Sequence, residues 1–146
     1  MKYIGLDLGS VTCGVSKSDT GFLAQAVKTI RFESENYDEA LDKVEEYINE
    51  YKPDVIVLGY PLLENGDAGP RAKISEEFKR VLEEETNINV YLQDERCTTK
   101  DSEEFLIEAN VSRKKRKKII DQQAAVRILQ YYLDSKKSSP KPSPEK

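Results

Sequence analysis

The chain contains no histidine at all. That absence excludes the Ser-His-Asp triad, the Cys-His pair and the histidine-ligated zinc site, and so closes most familiar hydrolytic designs. Cysteine is almost as scarce. Cys13 and Cys97 are too few for a disulfide framework, and their spacing matches no zinc motif, so a reducing, cytoplasmic setting is expected. Long apolar runs are missing too. No stretch approaches the roughly 20 residues of a membrane span, so no membrane partner is expected. Residues 3–8 are apolar but short, without the basic flank of a signal peptide.

What is present is charge. Charged residues make up 34% of the 146 residues and hydrophobic ones 38%, which suits one soluble domain able to bury its own core. A net charge of −4, taken as an average, argues against a polyanionic partner. The distribution argues the other way. Residues 33–52 hold eight acids and two bases, whereas Arg113, Lys114, Lys115, Arg116, Lys117 and Lys118 follow one another without a break. Basic charge concentrated like this can bind phosphates locally in a chain that stays acidic overall. A solvated basic helix face is the plainer account of the same run.

Hydrophobic periodicity sketches the fold. Residues 3–8 alternate with period two, Ile4, Leu6 and Leu8 on one face and Tyr3, Gly5 and Asp7 on the other. Gly9-Ser10 supplies a turn, residues 12–17 return with Cys13 and Val15 inward, and a third strand is expected near 26–32. The period then lengthens. Tyr37, Ala40, Leu41, Val44, Tyr47, Ile48 and Tyr51 recur at helical spacing, with Asn36 and Glu39 as a capping box and Pro53 as the stop. The continuous apolar run 55–58 fits a strand covered on both faces.

Ile74, Phe78, Val81 and Leu82 mark a second helix, 89–93 a short strand, and Thr98 with Asp101 the start of a third helix carrying Phe105, Leu106 and Ala109. Ala125, Ile128, Leu129, Tyr132 and Leu133 form the stripe of the last one. The order is βββαβαβα. It predicts an α/β fold, a mixed five-stranded sheet that opens as an antiparallel meander and carries helices on both faces. Residues 1–134 form the domain. Residues 135–146 are Ser, Lys and Pro with almost nothing to bury, and disorder is expected there.

Three sets of carboxylates stand where structure alone would not choose them. Asp7 interrupts an apolar strand, Asp94-Glu95 ends the last strand, and Asp121 falls on the apolar stripe of the final helix. Each has an ordinary account: a turn acceptor, a surface ion cluster, a first-turn residue. Together they can converge from a central strand, a strand end and a helix, and a carboxylate facing the interior is costly unless paired, hydrogen-bonded or metal-bound. Hard oxygen ligands without histidine suit Mg²⁺ or Mn²⁺. The basic run adds to this. Ser112 can cap a helix whose first turn is then wholly basic, against the helix dipole, which makes sense if the charges meet phosphates.

The motifs IGLDLGS-x-x-x-GVSKSD, LGYPL, NGDAGPRA, QDERCTT and VSRKKRKK-x-x-D-x-x-AA-x-x-ILQ-x-YLD occur in this order between residues 2 and 134. Together they resemble the bacterial pre-16S rRNA nuclease family, also called Holliday-junction-resolvase-like. The resemblance implies a ribonuclease-H-like fold and a Mg²⁺-dependent phosphodiesterase that trims the 5′ end of precursor 16S rRNA. It carries the family's acidic, metal-holding site onto Asp7, Glu95 and Asp121. Gly59 and Pro61 match its strand exit; Arg96, Thr98 and Thr99 match the segment after the acidic pair. With residues 113–118 these last would contact the nucleic acid. Gln122 and Gln123 depart from the family pattern.

Other readings stay open at this point. A four-way DNA junction offers the same phosphodiester chemistry, and a homodimer would favour it where a monomer favours RNA trimming. Asp7-Leu8-Gly9-Ser10 also resembles the first phosphate loop of actin-like ATPases and sugar kinases, but the chain is short for their two domains. A non-catalytic nucleic-acid-binding module is the third.

Overall fold

The computed structural model describes residues 1–61, 63, 65–94 and 113–138, with side chains in the last segment described for 124–136. Five strands and three helices result: β1 (Tyr3–Leu8), β2 (Thr12–Ser18), β3 (Gln25–Arg31), α1 (Tyr37–Tyr51), β4 (Val55–Tyr60), α2 (Pro70–Thr86), β5 (Asn89–Asp94) and α3 (Arg113–Ser138). They form one sheet of order β3-β2-β1-β4-β5. β1, β2 and β3 pair antiparallel, whereas β1–β4 and β4–β5 are parallel. This is the expected mixed five-stranded α/β sheet. The helix expected at 98–109 lies outside the described residues.

Alternation along β1 divides the core. Ile4, Leu6 and Leu8 pack with Leu41, Val44 and Ile48 of α1 and Phe78 and Leu82 of α2. Tyr3, on the opposite face, packs with Val57 of β4 and with Ile128, Leu129 and Leu133 of α3. Two helices therefore cover one face and α3 the other. Among the described residues no helix is long and apolar enough to cross a membrane.

The helix ends follow local chemistry. Asn36 caps α1 by accepting from the Glu39 N–H at 3.1 Å. The reciprocal half of the capping box does not form, because the Asn36 N–H is already bonded to the Glu33 carbonyl at 2.8 Å. The Glu39 carboxylate accepts from the Glu33 N–H instead, at 2.9 Å. At the other end Lys52, with φ of 56°, donates its N–H to Ile48 O, a left-handed cap before Pro53. α3 continues to Ser138, past the boundary at 134 drawn from composition. Contacts one turn apart accompany this extension: Gln130 donates to Asp134 at 3.0 Å, and the Lys136 ammonium lies 5.6 Å from the Tyr132 ring centroid.

Candidate active site

Asp7 stands on the β1 face that α3 crosses, two residues beyond Gly5. Gly5 is where the helix comes closest. A Cβ at that position would lie 2.7 Å from Leu129 Cβ and 3.0 Å from the Ala125 carbonyl oxygen. Ser16 of β2, fully buried, donates to the same carbonyl at 2.7 Å. Further down, the Tyr3 and Tyr132 ring centroids are 6.2 Å apart. As β1 advances from Tyr3 to Gly5, its α3 neighbours therefore run backwards from Tyr132 through Leu129 to Ala125. Position 121 follows Ala125 by one more turn in the direction of Asp7.

The last strand contributes at the same end of the sheet. β4 and β5 stay in register through Tyr60↔Asp94, level with the exit of β1. Strand alternation places Asp94 with Val90, which packs under α1 and α2, and away from the face of Asp7. Glu95, Arg96, Thr98 and Thr99 lie outside the described residues. Residues 113–118 form the start of α3, and their side chains, like that of Asp121, are not among those described. The structure thus relates Asp7 to the backbone of α3. Among the described residues no three potential metal ligands gather.

α2 is tied to this end of the sheet at two points. The Arg71 guanidinium, in the first turn of α2, donates to the Leu8 carbonyl at 3.1 Å and to the Tyr37 hydroxyl at 3.0 Å. At the end of β4, Tyr60 donates its hydroxyl to Glu76. That bond holds the Tyr60 phenol above its ordinary range. Hydrophobic spacing gives Arg71 no role, although an arginine in a helix's first turn, directly after Gly69-Pro70, opposes the dipole and is a readable signal.

Cys13 is no nucleophile. Burial pushes its thiol far above the usual range, and the charge of Asp7 pushes the same way. It stays protonated and packs in the core beneath α1 and α2.

A model of the RuvX family, described as Holliday junction resolvase, matches residues 1–135. The chain belongs to the RuvX family. Two relatives of similar length bear this out. A protein of Geobacillus sp. (strain WCH70) named "Putative pre-16S rRNA nuclease" is 50% identical over 137 residues, covering 93% of this chain and 99% of its own. Its namesake in Bacillus subtilis (strain 168) is 50% identical over 136 residues, covering 92% and 99%. Among solved structures, Thermus thermophilus RuvC in complex with a Holliday junction substrate superposes with a TM-score of 0.61. That match is 15% identical and spans 95% of this chain and 97% of the other. At such identity the likeness speaks for the fold alone, which is ribonuclease-H-like. This RuvX-family chain is a nuclease by family, and the kinase-like reading of its first loop gives way to that membership.

Proposed function

We propose that this RuvX-family nuclease acts in the cytoplasm on structured RNA, hydrolysing phosphodiester bonds to process the 5′ end of precursor 16S rRNA. The observation that carries the substrate is the 50% identity, over nearly the whole of both chains, to relatives named for that reaction. The site is Asp7, Glu95 and Asp121, with Arg96, Thr98, Thr99 and residues 113–118 binding the nucleic acid. What supports it is the close packing at Gly5 and Ser16, which directs the acid-bearing turn of α3 along β1 toward Asp7.

The donor set fits a hard divalent cation, Mg²⁺ or Mn²⁺, because three carboxylates and no imidazole are offered. Held there, such an ion supplies an activated water and charge neutralisation at the scissile phosphate. The protein's own part is to hold the carboxylates on rigid elements, a central strand and a long helix, and to grip the backbone on either side. A second reading, cleavage of a four-way DNA junction, is favoured by the family's own description.

The deciding experiment incubates a precursor 16S rRNA 5′-end fragment and a four-way DNA junction with the protein and Mg²⁺ at one salt concentration. Wild type, Asp7→Asn and an EDTA control run side by side. RNA cut only by the wild type with metal is the expected result. Cutting of the junction alone transfers the proposal to the second reading. Binding of both without cleavage defeats the metal site and leaves a binding module.

A further inference from the structure

We infer that Arg71 is a positioning residue of the nuclease site, fixing the exit of β1 so that Asp7 is presented at one place. The inference rests on the reading of Asp7 given above and extends it to the NGDAGPRA motif, to which no role has yet been attached.

The exit of β1 is less well held than the rest of the strand. Its parallel register with β4 runs from Tyr3↔Val55 to Leu6↔Leu58 and goes no further, although β4 itself continues to Tyr60. Its antiparallel register with β2 continues through Asp7↔Gly14 to Leu8↔Cys13. Asp7 and Leu8 therefore lie beyond the β4 register. At this point Arg71 donates to the Leu8 carbonyl. That carbonyl is joined to the Cα of Asp7 through the Leu8 Cα and one planar peptide unit, so anchoring it narrows the positions open to Asp7.

The same guanidinium reaches the Tyr37 hydroxyl, and Tyr37 is the first residue of α1. Arg71 thus joins three elements, the exit of β1 and the first turns of both helices that cover this face. Among the described residues no ion pair sets its place, and its charge opposes the dipole of its own helix. A planar fork with two directed N–H groups can span both acceptors, whereas an ammonium on a flexible stem cannot hold both in one geometry.

The test compares wild type with Arg71→Met, Arg71→Lys and Tyr37→Phe. It measures kcat and KM on the precursor fragment, Mn²⁺ affinity by the resonance of the free ion, and the thermal midpoint. Losing a residue that orients a metal-binding side chain typically costs about 10–100-fold in metal affinity or activity. Arg71→Met is expected to lose that much in both kcat and Mn²⁺ affinity, with KM within about twofold of wild type. Arg71→Lys recovers only part of the loss. Tyr37→Phe keeps the Leu8 bond and shows a smaller deficit of the same kind; it decides the matter should Arg71→Met fail to fold.

Wild-type kcat and Mn²⁺ affinity in Arg71→Met would overturn the inference. So would a raised KM with kcat and Mn²⁺ affinity intact, which would make Arg71 a substrate contact. Should the wild type cut neither polymer, the proposed function fails, but the Mn²⁺ titration still decides Arg71. A wild type that binds no Mn²⁺ leaves no site to position and ends both.

Discussion

Ser16 and Ala125, 109 residues apart, meet through a hydrogen bond of 2.7 Å from the serine hydroxyl to the alanine carbonyl, and both are fully buried. The bond fixes α3 against β1 and β2 where Gly5 leaves no room for a side chain. Gly5→Ala is therefore expected to destabilise. The new Cβ would lie 2.4 Å from Ser16 Oγ and 2.7 Å from Leu129 Cβ, so helix and strand must separate. Overpacking of this kind costs about 1–3 kcal/mol. Urea unfolding gives the number, and a midpoint equal to wild type would mean that α3 yields without penalty.

In the same region strand alternation sends two carboxylates, Asp7 and Asp94, to opposite faces of the sheet. Period-two alternation in β1 was enough to put Asp7 on the face opposite Ile4 and Leu6, which is where α3 lies. Applied to β5, the same rule aligns Asp94 with Val90 and Leu92, on the face of α1 and α2. The face on which Asp94 lies was thus readable from apolar spacing alone. Arg71 was not. Its partners Leu8 and Tyr37 are 63 and 34 residues away, and only the folded sheet brings them together. The Asn36 cap was legible because its acceptor and donor are three residues apart; the fate of Glu39 was not, since it depends on where the Glu33 carbonyl turns.

That cap offers a clean measurement. Asn36 supplies the side-chain oxygen that receives the Glu39 N–H at the start of α1. Asn36→Ala removes the acceptor and should cost about 1 kcal/mol, whereas Asn36→Asp, which keeps it, should cost little. Equal stability of the alanine and aspartate variants would show that water replaces the cap.

Glu45 makes stability depend on pH near neutrality. Its carboxyl is pushed up to about 7 from 4.5, first by burial, then by its contact with Glu85 and the charges of Glu85 and Asp42. One of its oxygens, Oε2, is buried with no hydrogen-bond partner among the described residues. A carboxyl whose folded value is raised favours the folded state at low pH, and that contribution fades as pH climbs from about 4.5 to 7 and above. The protein should be more stable at pH 5 than at pH 8 on this account, by about 1–2 kcal/mol after allowance for partial exposure. Glu45→Gln should abolish most of the difference by raising the thermal midpoint at pH 8 while leaving it nearly unchanged at pH 5. If the variant unfolds at the wild-type temperature at both pH values, Glu45 does not titrate in this range.

The basic start of α3 carries a prediction that separates binding from chemistry. Positive side chains in the first turn oppose the helix dipole, a stabilisation forgone of about 0.3–1 kcal/mol each. Replacing Lys114 and Lys115 with alanine should therefore leave the fold as stable or slightly more so. If the run meets phosphates, the same pair of substitutions weakens RNA binding. It also flattens the fall of log affinity with log salt by about 0.7–0.9 per lysine removed. Asp7→Asn should leave that slope near the wild-type value, because a carboxylate displaces no phosphate counterion. Filter binding of the precursor fragment between low and moderate salt gives both slopes. A slope unchanged in the double alanine variant would return the run to a solvated helix face and leave the grip on the backbone to Arg96, Thr98 and Thr99.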